Sequence, residues 1–393
     1  MEKYDVIIVG GGPAGSTAGY ILGTLGIHTL LIDKSVFPRK KLCGGVLTHK
    51  TLKLLDRVFK ETDKTIEHAG VINYLTNGYD IYFKDTLMSH GTSKYPFIFV
   101  DRYVYDNFLL QKVKDAGVKV IEGDKVKIFD PERNTLTTSS GKTCNAQFII
   151  GADGVHSVVR RYLPGHYINN RNWEYNLATA LEITVPRNEF QQYIKYPIIQ
   201  FGYIDWGYSW IFPNKDEIIV GLGGLNRKNN KQIKKICYEY ISAVAPSFIK
   251  KNQQAIKICG HPVPSGNYLS KPVYRNAMLV GDAAGFSDPI SGEGIYQAQR
   301  SAEIAALSIY NSLKNEVSLE KTYVRLLKKH VFPDLFYAKI LRWFIFKALN
   351  NLNLGHIELL IKRGEDKAID LVHGLRTYKF LRKIEGIHDD VVV

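Results

Sequence analysis

Apolar residues come in three patterns along the chain, and each predicts a different kind of element. Val6 to Val9 is a short, unbroken apolar run, which reads as a parallel strand buried on both faces. A glycine cluster follows. The next stretch, roughly Ala14 to Leu25, reads as a helix, and His28 to Ile32 gives a second apolar strand that ends in Asp33. Ile66 to Phe83 alternates instead and contains Asn77-Gly78, a hairpin signal, and Phe97 to Val100 is another strand. Asp101 caps a helix whose apolar positions Val104, Phe108, Leu109 and Val113 recur at helical spacing, and Gly117 ends it. Val118 to Ile121, Val126 to Phe129, Thr135 to Thr138 and Gln147 to Ile150 read as short strands forming a meander. From about Asn172 to Pro264 the chain is rich in aromatic and β-branched residues, which predicts a second, antiparallel domain. Ala277 to Val280 returns to the buried-strand pattern, a helix opens near Gly294, and the chain reads as helical from Lys321 onward.

The predicted class is therefore α/β: a Rossmann-like parallel-sheet domain with a β-meander, an antiparallel-sheet substrate domain, and a C-terminal helical region. The expected division is 1–65, 101–170 and 270–320 for the first domain, 66–100 and 171–269 for the second, and 321–393 for the helices.

Candidate chemistry begins at the first glycine cluster. Gly10, Gly12 and Gly15 match the dinucleotide fingerprint G-x-G-x-x-G between a strand and a helix, and Asp33 lies eighteen residues after Gly15. The helix aims its N-terminal N–H groups and its dipole at phosphates, and the acid can accept hydrogen bonds from a ribose. Strand, glycines, helix, strand and acid in this order point to an ADP-containing cofactor. Asp282 sits at the end of the Ala277 strand, and the glycine-rich helix start near Gly294 offers a second N-terminus to an electron-rich ligand. Arg102, in the first turn of its helix, opposes the helix dipole, which an anion nearby would explain; a solvated arginine is the plainer reading. Asp153-Gly154 follows a buried strand and reads first as a capped turn. Tyr208, Trp210 and Phe212 stand at i, i+2 and i+4, so they project from one sheet face. They can line an elongated apolar cavity or fill a core. Gly221-Leu222-Gly223-Gly224 is followed by no helical pattern and is rejected as a second dinucleotide site. Cys43 precedes Gly44-Gly45 in a loop leaving the second strand, where a buried packing role and a ligand-facing role both stand open.

Composition narrows the options. A length of 393 residues with 45% hydrophobic residues supports a sizeable core and two domains. The net charge of +14 comes from scattered Lys and Arg, with Arg39-Lys40-Lys41 the longest run and no nucleic-acid motif. An anionic membrane surface or a phosphorylated lipid suits that charge better than nucleic acid. The start of the chain shows no signal peptide, no window reads as a transmembrane helix, and the four dispersed cysteines read as reduced, so a cytoplasmic protein is expected. No histidine or cysteine spacing suggests a metal site. Val331 to Leu349 mixes aromatic and charged residues and reads either as an interfacial segment at the inner face of the membrane or as a helical cap on the substrate domain.

Three separated segments, GGGPAGS at Gly10, GADGVHS at Gly151 and GDAAGFSDPISGEGI at Gly281, together resemble the FAD-binding fold of para-hydroxybenzoate hydroxylase-type flavoproteins over about the first 310 residues. Within that superfamily, Lys41-Leu42-Cys43-Gly44-Gly45 and Tyr208-Ser209-Trp210-Ile211-Phe212-Pro213 resemble the geranylgeranyl reductase family, whose longer signature P-x-x-Y-x-W-x-F-P meets Asp205 here in place of its first proline. The resemblance implies non-covalent FAD held by Gly10, Gly12, Ala14 and Gly15 at the pyrophosphate and by Asp33 at the adenosine ribose. It implies Arg102, Val126 and Asp153 around the cofactor, Asp282 on the ribityl chain, and Gly294 and Ile295 at the flavin pyrimidine edge. Cys43 and Gly44 would lie against the flavin ring, and Tyr208, Trp210 and Phe212 would line a prenyl cavity. The implied reaction saturates C=C bonds of a prenyl lipid, prenyl diphosphate or quinone tail, with NAD(P)H or another reductant as electron source; the proton donor and the oligomeric state are left open. A flavin monooxygenase or halogenase is the alternative, although the halogenase signature W-x-W-x-I-P is poorly matched. A flavin-free prenyl carrier of the GDP-dissociation-inhibitor type is the third class, and the Asp33 and Asp282 motifs argue against it.

Overall fold

The structure is a computed structural model that describes residues 2–164, 170–229, 232–252 and 256–383. Two eight-stranded sheets carry it. Across the first run the strands Val273–Tyr274, Ala277–Leu279, Thr143–Gly151, Glu2–Val9, Thr29–Ile32 and Lys119–Ile121. All these pairings are parallel except that of the outermost strand, Val273–Tyr274. Val6 to Ile8 are fully buried, as expected of a strand covered on both faces. Val126–Asp130 and Thr135–Thr138 complete this sheet as the antiparallel meander feeding Thr143–Gly151.

The register of the parallel strands decides where the chemistry goes. Val9 pairs with Ile32 and with Gly151, and Gly151 pairs with Leu279. The residues that leave these strands therefore line up along one sheet edge: Gly10, Asp33, Ala152-Asp153 and Gly281-Asp282. Segments some 270 residues apart in sequence converge because their strands end side by side, at the carboxyl edge where α/β sheets bind ligands.

The second sheet runs Cys259–Val263, Ala178–Pro186, Glu217–Leu225, Gly207–Pro213, Ile198–Phe201, Ile72–Phe83, Thr86–Val100 and Val46–Leu47. It is antiparallel save for one parallel ladder, Ile198–Phe201 against Asp80–Phe83. One face packs Ile183, Ile211, Ile218, Val220 and Leu222 against Cys237, Tyr240 and Ile241 of the helix Ile233–Val244. Strand alternation turns Tyr208, Trp210 and Phe212 to the opposite face.

Two local expectations are corrected. Asn77-Gly78 is not a hairpin turn: the strand continues through it, with a register shift between Thr76 and Gly78. Asn77 Nδ2 donates across the ladder to the Ser93 carbonyl at 3.1 Å, and a Cβ on Gly78 would lie 2.4 Å from the Tyr196 ring, so the glycine makes room for an aromatic side chain. The turn comes at Lys84-Asp85, with Lys84 left-handed at φ 49°. The alternating stretch also starts later than expected. Asp63–His68 is a helix closed by a Thr62/Thr65 capping box, and the strand begins at Ile72.

The C-terminal region forms three helices, Leu319–His330, Phe332–Asn351 and Leu354–His373. The middle one buries Phe346 and Leu349 against Ile357, while Phe336, Ile340, Trp343 and Phe344 are 49%, 41%, 45% and 59% exposed. Among the described residues no helix is long and apolar enough to cross a membrane.

Candidate active site

The glycine loop is built for close approach. Gly10 adopts φ +103°, and a Cβ there would meet the Ala152 carbonyl oxygen at 2.5 Å. A Cβ on Gly15 would overlap the Gly10 oxygen at 1.7 Å, so only glycine lets this helix sit on this strand. The helix Pro13–Thr24 has no side-chain cap at Gly12, and the helix Ile295–Asn315 has none at Gly294. The two helices pack together, with Gly281 held near Ala14 and Ala298, so both uncapped N-termini open onto the same sheet edge. Asp33 is buried there; its Oδ2 accepts from Gly11 N at 2.6 Å and its Oδ1 from Ser35 N at 2.7 Å, and each oxygen keeps a lone pair for a ligand hydroxyl.

Arg39 is a residue the sequence reading passed over as part of a basic run. Its Nη2 lies 3.5 Å from where a Gly12 Cβ would be, and its Nη1 is buried without a partner. Asp106 fixes it at 2.9 Å and also holds Arg102 in a two-pronged pair at 2.6 and 2.8 Å. Arg102 itself reaches the Cys43 thiol; burial works against its charge, but Asp106 and Cys43 outweigh that and raise its pKa. The odd cation in the first helical turn is thus paired within its own helix and aimed at the Cys43 loop.

That loop seats on the aromatic face of the second sheet. A Cβ on Gly44 would lie 2.7 Å from the Phe212 ring. Gly45, at φ +69°, presses against the Val100 carbonyl oxygen, and its N–H donates to Cys43 Sγ at 3.4 Å. Cys43 also packs on the cluster containing Ile295. Tyr208 donates from its hydroxyl to the Ser291 carbonyl, tying the aromatic strand to the segment before Gly294. Tyr208 meets Trp210 edge-on at a centroid spacing of 5.8 Å, Trp210 stacks on Phe212 at 6.2 Å, and the row continues to Phe99 at 5.6 Å and to Phe201 at 6.3 Å. Trp210 lies over Gly221, where a Cβ would come within 2.6 Å of the indole. The rejected glycine cluster is the floor of this wall.

The charged groups of the cleft modify one another. Asp282 lies 3.4 Å from where a Gly294 Cβ would be. It is partly accessible yet closely surrounded, as a cleft-lining group is, and burial raises its pKa against the pull of Lys41 and Arg102. Burial brings Lys41 down to about 8, and Asp282 opposes that. Lys41 Nζ contacts His261 Nε2, and burial with the neighbouring Lys41 charge holds His261 at about 3, so the imidazole is neutral. Glu182 stands on the strand beside Gly221 and accepts the Cys43 N–H at 3.1 Å. Burial pushes it up to about 7, against the Cys43 N–H, the nearby indole of Trp210 and the charge of Lys41. The indole Nε1 is close enough to act on Glu182 without making a well-aligned hydrogen bond.

Gly10, Gly12, Ala14, Gly15, Asp33, Cys43, Gly44, Arg102, Asp282, Gly294 and Ile295 thus surround one cleft, with Tyr208, Trp210 and Phe212 as its far wall. Val126 lies buried in the core of the first domain. Asp153 accepts the Val158 N–H at 2.6 Å, the capped turn of the plainer reading, while its Oδ1 is buried without a partner. Among the described residues no cluster of His, Cys, Asp and Glu has the makings of a metal site.

Residues 3–323 match the model of the family described as "FAD binding domain". The chain belongs to this FAD-binding family. It is 29% identical over 329 residues to the geranylgeranyl diphosphate reductase of Synechocystis sp., covering 79% of this chain and 76% of that one. It is 29% identical over 373 residues to the digeranylgeranylglycerophospholipid reductase of Methanococcus aeolicus, covering 89% and 90%. The crystal structure of a geranylgeranyl bacteriochlorophyll reductase-like protein from Thermoplasma acidophilum shares the fold, with a TM-score of 0.75 at 22% identity over 97% of this chain and 94% of that one. The protein is an FAD-dependent oxidoreductase. The residues present fit FAD: two uncapped helix N-termini and an orphaned Arg39 donor suit its phosphates, and Asp33 and Asp282 keep acceptors free at either end.

Proposed function

We propose that this protein saturates C=C bonds of a geranylgeranyl-type chain carried by a lipid, a prenyl diphosphate or a quinone. The observation that carries this reading is the seating of the Cys43-Gly44 loop on the Tyr208, Trp210 and Phe212 wall, which puts an elongated aromatic surface beside Asp282 and Gly294. An isolated alkene in an apolar chain offers little except surface to bind, and a row of rings from Phe201 to Phe99 supplies it.

In this reading Gly10, Gly12, Ala14, Gly15 and Arg39 hold the pyrophosphate, Asp33 the adenosine ribose and Asp282 the ribityl chain. Gly294 and Ile295 face the pyrimidine edge of the flavin, where the helix N-terminus stabilises negative charge. Arg102 and Asp153 brace the loops around the cofactor, and Val126 supports it from the core. Reduced FAD, when bound, supplies a hydride. Cys43 and the aromatic wall orient the alkene and keep water out, and a proton completes the reduction. NAD(P)H or another reductant restores the flavin. We assign 1–65, 101–170 and 270–320 to the cofactor domain, 66–100 and 171–269 to the substrate domain, and 321–393 to a helical region. The relatives named for prenyl substrates support this substrate class.

We place the protein in the cytoplasm at the inner face of the membrane. Phe336, Ile340, Trp343 and Phe344 are exposed together with Lys339 and Lys347, an amphipathic face suited to the lipid interface. The test of the reductase reading is anaerobic incubation of the reduced holoprotein with a panel of prenyl lipids and diphosphates. Products should gain two hydrogens per bond by mass spectrometry. Oxygen consumption coupled to substrate, with hydroxylated or halogenated products, would instead assign the protein to the oxygen-using branch of the fold.

A further inference from the structure

Hydride addition to an isolated alkene leaves the neighbouring carbon needing a proton, and the sequence offered no acid for that step. The cleft contains one. Glu182 is only 8% exposed and stands on the strand Ala178–Pro186, on the same sheet face as the aromatic wall: it pairs with Gly221, and Gly221 pairs with Trp210. Its Oε1 accepts the main-chain N–H of Cys43 at 3.1 Å. Because Gly221 has no side chain, the Trp210 indole lies flat over that position and comes up to the carboxyl group.

We propose that Glu182 is the acid of the cleft, delivering its proton to the substrate carbon beside the one that takes the hydride. The inference rests on the prenyl-reductase reading above. The alkene π bond breaks, one carbon gains a hydride from reduced flavin, which is oxidised by two electrons, and the other carbon gains the Glu182 proton. The carboxylate left behind is reprotonated from solvent. Every part of the surroundings bears on that proton. Lys41 and the Cys43 N–H from the loop favour the ionised form, as does the indole of Trp210. Cys259 and His261 stand on the adjoining strand, where His261 is neutral, and Cys237 sits behind, on the helix Ile233–Val244. Burial outweighs these and pushes the carboxyl up to about 7. A general acid is most effective when its pKa lies near the working pH.

Glu182→Gln keeps an acceptor for the Cys43 N–H and removes the proton. Three measurements test the role. In anaerobic single turnover with a prenyl lipid, flavin oxidation by the wild type should slow as pH rises through about 7. In the variant it should fall by a factor of ten or more, on the order of the 10²–10⁴ typical of general acids, and lose that pH dependence, while FAD affinity is retained. On the flavin-free protein, infrared difference spectra should show a protonated carboxyl band that titrates near 7 and is missing in the variant. Stability gives a third readout. A carboxyl raised from 4.5 to about 7 keeps its proton in the folded state while the unfolded chain has lost it, so wild-type stability should decline from pH 4.5 to 7 more steeply than that of Glu182→Gln. A variant with the wild-type rate and pH profile, or a carboxyl band already ionised well below pH 7, overturns the donor role. Wild-type flavin that stays reduced with every prenyl lipid overturns the reductase reading instead, and the donor role falls with it.

Discussion

Three residues of the cleft can be tested singly because each does one thing. Asp282 is a half-buried acceptor with no protein donor assigned to it, so its acceptors are free for cofactor hydroxyls. Asp282→Ala should weaken FAD binding tenfold or more, about 1.4 kcal/mol, as read by equilibrium dialysis of the yellow protein; unchanged occupancy would remove Asp282 from the site. Asp106 is different: it is fully buried and neutralises both Arg39 and Arg102. Removing its charge leaves two cations without their partner, a change that typically costs about 3–5 kcal/mol. Asp106→Asn should therefore shift the urea midpoint sharply downward, even without cofactor. Cys43→Ser and Cys43→Ala should both fold and bind FAD, yet change the rate or the mixture of partly reduced products, because the thiol lies where the loop meets the aromatic wall. Identical single-turnover rates and products in both variants would reduce Cys43 to a filler of space.

At the scale of the element, the aromatic strand and its glycine neighbour work as one surface. Trp210 is 7% exposed but stands outside the apolar core formed by Ile211, Val220 and Tyr240 on the opposite face. Trp210→Ala should slow turnover of long prenyl chains more than short ones while FAD stays bound. The melting curve is the control, since a purely structural tryptophan would cost about 3–5 kcal/mol of stability. The period-two placement of Tyr208, Trp210 and Phe212 was legible from the sequence, because strand alternation follows directly from backbone geometry. The role of Gly221 was not. A glycine cluster after an apolar run reads as a turn or a phosphate loop, and only the strand register reveals that Gly221 faces Trp210. Asn77-Gly78 failed in the same way: the local signal for a turn is genuine, but packing against Tyr196 had first claim on the glycine.

At the scale of the whole molecule, one sheet edge brings the cofactor motifs together and the second sheet presents a wall to it. The motifs at Gly10, Gly151 and Gly281 were readable because each keeps strand and loop contiguous in sequence. Contacts made across long separations were not readable. Glu182 meets Cys43 from 139 positions away, and Arg39 gains its meaning only beside Gly12 and Asp106. The exposed aromatic face of the helix Phe332–Asn351 predicts peripheral membrane binding. Liposome co-sedimentation should rise with anionic lipid and fall with salt, and Trp343→Glu with Phe344→Glu should reduce it without affecting FAD. Sedimentation indifferent to both lipid charge and salt would make this face a packing surface. Hydride reaching a prenyl alkene is the central step of the proposed reaction. The most direct measurement is anaerobic stopped-flow absorbance of the chemically reduced holoprotein mixed with a geranylgeranyl lipid or with its fully saturated counterpart. The unsaturated lipid should reoxidise the flavin and the saturated one should leave it reduced. Flavin that stays reduced with both lipids, and is reoxidised only when oxygen is admitted, would contradict the account.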